Sequence, residues 1–130
     1  MKRILIADDE ECLLIAYKKL LAGNGVEIDT AQSASDAQTM LGTYQYSIII
    51  VDLRLTNSNE MDGLDIIKIA HHLHPDCTII VLTAYGDYQI KQNVINAGAA
   101  YFLEKPISVL AIRDLLNNLG VYCSNVSLQK

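Results

Sequence analysis

Apolar positions along the chain follow two alternating periods. Short runs at Arg3–Ala7, Val26–Thr30, Ile48–Val51, Thr78–Thr83 and Tyr101–Leu103 have the length and composition of strands. Between them, apolar residues recur at helical spacing. Leu13, Leu14, Tyr17, Leu20 and Leu21 share one face of a first helix. It is predicted to end near Asn24-Gly25, where either residue tolerates a left-handed cap. Ala37, Met40, Leu41 and Tyr44 mark a second, opened by Ser33 as N-cap with Asp36 in the first turn. Ile66, Ile67, Ala70 and Leu73 mark a third, stopped before Pro75. The segment Asp87–Ala97 is weaker, with only Ile90, Val94 and Ala97 in line before Gly98. Ile112, Leu115, Leu116 and Leu119 form the fifth, between a Ser108 cap and Gly120.

Five strands alternating with five helices require βαβ crossovers and hence a parallel sheet. The central strands read as unbroken apolar runs, as expected when helices cover both faces. The expected class is therefore α/β: a single-domain, doubly wound (βα)5 flavodoxin-like fold with strand order 2-1-3-4-5. At 130 residues there is room for one domain, placed at 1–120. Residues 121–130 have no clear period and read as a tail or the start of a linker.

Composition removes several function classes. With 51% hydrophobic and 19% charged residues, the chain buries enough surface to fold. The net charge of −5, without clustered Lys and Arg, argues against nucleic-acid contact. The longest aliphatic run, Ile48–Val51, is too short for a bilayer. The apolar stretch after Met1-Lys2-Arg3 stops at Asp8, too early for a secretory signal, so a cytoplasmic location is expected. Cys12, Cys77 and Cys123 are odd in number and widely spaced, which fits reduced thiols, with Cys123 the exposed one. His71, His72 and His74 invite a metal reading, but only His71 and His74 share a helix face and no further ligand-spaced residues accompany them.

In an open parallel sheet ligands gather at the carboxyl ends of the strands. Strand one is followed by Asp8, Asp9, Glu10 and Glu11; strand three ends at Asp52; strand four ends at Thr83; strand five is followed by Lys105-Pro106. Packed carboxylates repel one another unless a cation joins them, and hard oxygen ligands suit Mg²⁺. A carboxylate beside such a cation is a competent nucleophile toward phosphorus, and a Lys with a Thr hydroxyl neutralises phosphoryl oxygens. The set reads as Mg²⁺-assisted phosphoryl transfer to a carboxylate. Taken singly, each residue has a plainer reading. Asp8-Asp9 fit a helix N-terminus, Asp52 a strand-end carboxylate, Lys105 a solvated surface, Thr83 a helix cap, and Phe102 an ordinary strand aromatic.

The run Ile4-Leu5-Ile6-Ala7-Asp8-Asp9-Glu10, the strand Ile48–Asp52, the Met61-Asp62-Gly63 turn, Leu82-Thr83-Ala84 and Gly98–Pro106 together resemble the receiver domain of two-component response regulators, over about residues 3–119. The resemblance implies a phosphorylation-dependent signalling switch rather than an enzyme. Asp52 is then the phosphoacceptor, served by a sensor histidine kinase or a histidine phosphotransfer protein. It implies Mg²⁺, with Mn²⁺ as an alternative ion, held by Asp8, Asp9, Asp52 and the carbonyl of Arg54. It places Thr83, Ala84 and Lys105 around the phosphoryl group, makes Thr83 and Phe102 the switch pair, and gives Lys105–Pro106 a cis bond. Output then passes by contact through the helix 4–strand 5–helix 5 face to a downstream protein or domain, or through a phosphorylation-linked homodimer. The chain is either a stand-alone receiver or part of a longer regulator.

Two departures carry expectations of their own. The segment from Asp52 to Gly63 is longer than usual and lacks the common Pro, so a bulged loop is expected beside Arg54. Arg54 and Tyr85 each sit two residues past a site residue, and their size predicts slow loss of the phosphoryl group. Competing readings are a non-phosphorylated scaffold of the same fold and a haloacid dehalogenase-like phosphatase. The latter needs a second Asp where Arg54 stands, and a substrate cap for which the chain has no room.

Overall fold

The computed structural model describes residues 2–53, 63–83 and 88–122. Its elements alternate strictly: β1 (Lys2–Ala7), α1 (Glu11–Leu20), β2 (Val26–Ala31), α2 (Ala34–Thr43), β3 (Ile48–Asp52), α3 (Gly63–Leu73), β4 (Thr78–Thr83), α4 (Tyr88–Ala97), β5 (Tyr101–Glu104) and α5 (Val109–Asn118). All four strand pairings are parallel and the order is β2-β1-β3-β4-β5, as the crossover argument requires.

The two-residue alternation of the strands sorts the core into two layers. Leu5, Ala7, Ile49, Val51, Ile79 and Val81 face one way, against Ala37 and Leu41 of α2, Ile66, Ile67 and Ala70 of α3, and Val94 of α4. Ile4, Ile6, Ile48, Ile50, Ile80 and Leu82 face the other, against Leu14, Tyr17 and Leu21 of the α1 segment and Ile112 and Leu116 of α5. Every residue of β3 is buried, because it lies mid-sheet with a helical layer on each side.

Local chemistry fixes the helix ends. The Ser33 hydroxyl accepts from the Asp36 N–H at 3.1 Å, and the Ser108 hydroxyl from the Ala111 N–H at 3.1 Å, both as read from sequence. The first helix differs. It stops at Leu20, and Gly25, with φ +78°, instead turns the chain into β2, where its carbonyl accepts from the Lys2 N–H at 2.8 Å. The helix stops short because Leu21 is buried and the carbonyls of Leu20 and Ala22 both accept from Arg113 Nη1 at 2.9 Å. Leu20 (51% exposed) and Leu73 (46%) lie at the edges of their apolar stripes, roughly 70–90° from the stripe centre at 100° per residue. Tyr44 (44%) has already left helical geometry.

His74 is structural. Its Nε2 lies 2.9 Å from the Leu41 carbonyl and its ring meets Tyr46 edge-on, which ties α3 to α2 and β3. Tyr46 in turn donates to Asp29 at 2.7 Å, and Arg3 pairs with the same carboxylate oxygen at 2.8 Å. Cys12 and Cys77 are free thiols, and Cys12 is exposed, whereas the sequence pointed to Cys123 as the exposed one; burial pushes the partly buried Cys77 up to about 11, the value of an inert cysteine, and Cys123 lies outside the described residues. No helix among the described residues is long and apolar enough to cross a membrane.

Gly98 ends α4 at φ +121°, and a Cβ there would stand 2.7 Å from His71 Cγ. Gly42 sits in exposed helix with nothing within 4 Å of an added Cβ. Gly98→Ala is therefore expected to destabilise the fold by about 1–3 kcal/mol, from a disfavoured backbone region and displaced imidazole. Gly42→Ala is expected to stabilise it by about 0.5–1 kcal/mol through helix propensity. Urea titration of both variants checks the pair, and equal or reversed signs contradict it.

Candidate functional site

Sheet register builds the site before any side chain is considered. Ala7 lies opposite Val51, so the next residues, Asp8 and Asp52, emerge side by side at the carboxyl edge. Asp52 pairs with Leu82, and Thr83 with Glu104, which places the Thr83 hydroxyl and the Lys105 stem one strand further along the same rim. Strand alternation sets direction. Asp8 and Asp52 continue the phase of Ile6 and Ile50, toward the α1/α5 layer, and Lys105 continues that of Leu103. Thr83 continues the phase of Val81, toward α4, as does Phe102, half-buried against the α2–α3–α4 layer.

Three carboxylates converge. Asp8, Asp9 and Asp52 each offer an oxygen within 4.8 Å of the others; Asp8 and Asp52 are buried and Asp9 is exposed. Lys105 Nζ stands 2.9 Å from Asp52 Oδ2 and 3.5 Å from Asp8 Oδ2. Asp8 Oδ1 accepts from the Glu10 N–H at 2.9 Å, whereas its Oδ2 is buried with no hydrogen-bond partner among the described residues.

The electrostatics follow from burial. Removal from water pushes the Asp8 carboxyl up to about 6, although the Glu10 N–H opposes the rise; the charge of Asp52 adds to it and Lys105 draws it back. For Lys105, burial pulls the ammonium down. The hydrogen bond and charge of Asp52, with the charge of Asp8, outweigh that pull and hold it above its ordinary value. One ammonium thus neutralises part of a buried acidic cluster that still carries excess negative charge.

Does this donor set fit a divalent cation? Three carboxylates within one ion's reach, one with a buried oxygen that makes no hydrogen bond, are what a hard, oxygen-seeking ion requires, so they fit. The metal reading of His71, His72 and His74 has no such support. Among the described residues, the three acids are the grouping of His, Cys, Asp and Glu side chains close enough to share an ion.

Two contacts were not legible as site features in the sequence. Gly63 opens α3 so close to the strand end that a Cβ would lie 3.0 Å from Leu53 Cα and 3.1 Å from the Asp52 carbonyl; the Met-Asp-Gly motif was the only signal. Tyr17, read as an ordinary stripe residue, is buried in the layer toward which Asp8 and Asp52 point. Burial raises its phenol, the Lys105 charge opposes the rise, and the Asp8 and Asp52 charges reinforce it. The Lys105–Pro106 bond is cis. Arg54, Ala84 and Tyr85, assigned roles from sequence, lie outside the described residues, as does most of the loop between Asp52 and Gly63.

Comparison with known proteins agrees with this geometry. A profile of the response regulator receiver domain matches residues 4–117. The chain is 32% identical over 105 residues to the photosynthetic apparatus regulatory protein RegA of Cereibacter sphaeroides, covering 81% of this chain and 55% of that protein. It is 34% identical over 106 residues to the alginate biosynthesis transcriptional regulatory protein AlgB of Pseudomonas putida, covering 82% and 23%. The chain therefore spans about half or less of these relatives. Among solved structures, a CheY-like receiver domain protein from Methanospirillum hungatei superposes with TM-score 0.79 at 29% identity, covering 92% and 91% of the two chains. A response regulator from Burkholderia pseudomallei, solved with a phosphorylated aspartic acid, a calcium ion and citrate, gives 0.78 at 29% identity, covering 98% and 69%. The acidic rim, the lysine that reaches into it, the strand order and these matches lead to one assignment: the chain belongs to the response regulator receiver domain family, phosphoacceptor regulatory domains of two-component signalling.

Proposed function

We propose that this domain stores a signal as a phosphoryl group on Asp52, received from a histidine kinase or histidine phosphotransfer protein in the cytoplasm. The observation that carries the reading is Lys105 Nζ at 2.9 Å from a buried carboxylate whose neighbours are two further acids. An Asp52 oxygen forms the new P–O bond as the donor's phosphohistidine P–N bond breaks. Lys105 is already within reach of the incoming phosphoryl oxygens, and its ammonium cannot easily lose a proton beside Asp8 and Asp52. Asp8, Asp9 and Asp52, with the Arg54 carbonyl, hold Mg²⁺ or Mn²⁺ in this reading. When bound, such an ion would offset negative charge where the phosphoryl group meets the carboxylates. Thr83 and Ala84 bind the phosphoryl oxygens, and Thr83 and Phe102 relay occupancy toward α4 and β5. Output passes through the α4–β5–α5 surface to a downstream protein or domain or to a second copy. Arg54 and Tyr85 shield the acyl phosphate and prolong its life. The unit is placed at residues 1–120.

The related Burkholderia structure with a phosphorylated aspartic acid and a divalent ion supports the same chemistry here. Incubation with Mg²⁺ and acetyl phosphate, read by intact mass, is expected to add one phosphoryl unit. In that reaction the P–O bond to acetate breaks and one to Asp52 forms. The gain is expected to vanish in Asp52→Ala and without Mg²⁺; an unchanged mass in the wild type leaves the scaffold reading in its place.

Asp8 makes a second expectation, with a defined sign. Its folded value of about 6 lies above the ordinary 3.8, so the stability it contributes is full below about 3.8 and is lost as pH rises through 6. At pH 7.5 the buried anion therefore weakens the fold. Asp8→Asn is expected to raise Tm by several degrees at pH 7.5, on the order of 1–3 kcal/mol, and to change it little at pH 3.5. Added Mg²⁺ is expected to raise the wild-type Tm at pH 7.5 more than that of Asp8→Asn. Calorimetry at the two pH values checks both statements; a destabilised Asp8→Asn at pH 7.5 contradicts them.

A further inference from the structure

At the carboxyl end of α5 the chain does not fray. Gly120, at φ +78°, reverses it, with its N–H donating to Asn117 O at 3.0 Å and the Val121 N–H to Leu116 O at 3.1 Å. That turn buries Val121 in the α1/α5 layer and lays Tyr122 across the end of α1. The Tyr122 hydroxyl donates to the Leu21 carbonyl at 2.7 Å, and its ring lies under the Arg113 guanidinium, 4.4 Å from carbon to centroid. The same guanidinium donates to the Leu20 and Ala22 carbonyls. Three carbonyls that α1 leaves open at its end are thus closed by two side chains from the α5 segment. The contact is tight: a Cβ on Gly23 would collide with the Tyr122 ring.

The opposite side of the molecule is held differently. α4 buries one residue, Val94, and leaves Tyr88 (76%) and Ile95 (43%) in solvent, while β5 is an edge strand with no fully buried residue. Sub-global motion is drawn from elements with few buried apolar contacts.

We propose that Arg113 and Tyr122 clasp the carboxyl ends of α1 and α5 into one rigid post, which holds the chain's path at Tyr122 still while the α4–β5 side responds to the acid pocket. The second half of this statement rests on the phosphoacceptor reading; the first does not. The clasp also carries the folded unit through Tyr122, two residues past the boundary at 120. It gives Tyr122 a defined work: the hydroxyl satisfies one carbonyl at the end of α1 and the ring seats the Arg113 guanidinium, which satisfies the other two.

The test is residue-resolved amide exchange on the full chain, without phosphodonor, for the wild type, Tyr122→Ala, Tyr122→Phe, Arg113→Met and Gly23→Ala. Tyr122→Ala and Arg113→Met are expected to speed exchange at least tenfold at Leu21, just after α1, and at Gly120 and Val121 after α5, with the double variant no faster than the worse single. Tyr122→Phe keeps the ring and is expected to show only a few-fold change. Gly23→Ala, on the far side of the contact, is expected to speed exchange at Val121 by displacing the ring. Changes confined to the segment that carries the substitution overturn the clasp. Repeating the wild type with Mg²⁺ and beryllofluoride, a phosphoryl mimic, separates the two halves. Changes in α4 and β5 with none from Arg113 to Tyr122 support the stationary post, and changes that include Tyr122 overturn it. No change anywhere overturns the phosphoacceptor reading and the second half with it, leaving the clasp to the measurements without mimic.

Discussion

The confinement of negative charge at the carboxyl edge of the sheet governs this molecule. Asp8 and Asp52 are both almost fully buried and emerge from adjacent strands in equivalent register, so neither can turn away from the other. One ammonium, Lys105, answers both. Breaking a buried ion pair is costly because it leaves a charge without a partner, whereas the intact pair adds little to stability. The cluster is thus better understood as a site prepared for a ligand than as a fastening of the fold. An Asp8 oxygen that makes no hydrogen bond and a raised Asp8 carboxyl are the marks of an arrangement with more negative charge than its one ammonium offsets.

The rest of the fold makes that confinement possible. Two apolar layers, one from α1 and α5 and one from α2, α3 and α4, remove water from both sides of β1, β3 and β4. The rim acids therefore sit at the mouth of a dry wedge, where each charge is felt more strongly than in solvent. Gly63 completes the approach, bringing α3 so near the Asp52 carbonyl that a Cβ there would crowd the strand-end backbone. The helix layers are not held equally. The α1/α5 side is closed by the Arg113–Tyr122 contact, while α4 depends on Val94 and on the seat His71 makes against Gly98.

How much of this was written in the chain is best judged residue by residue. Ser33, Ser108, Gly98 and Gly120 act where local chemistry places them, since a cap or a left-handed turn needs only its own few neighbours. Gly25 also has positive φ, yet serves the entry to β2 instead of the end of α1, because the partner that closes α1 arrives from Arg113, more than ninety positions away. Leu20, Leu73 and Tyr44 satisfied the periodic pattern and still face solvent, since spacing defines a stripe but not how wide a strip the sheet covers. Val121 and Tyr122 had no period to betray them. Their place is set by the turn at Gly120 and the surface of α1.

By itself the sequence determined the alternation of elements, the parallel sheet and its order, and the identity of the residues at the strand ends, because these follow from hydrophobic period and chain connectivity. The tertiary structure decided what those residues do to one another. That Asp8, Asp52 and Lys105 share one phase of the pleat, that one buried Asp8 oxygen makes no hydrogen bond, and that α5 is fastened to α1 are matters of register, burial and contact between distant segments. Such quantities exist only once the strands lie side by side and water has been excluded between them.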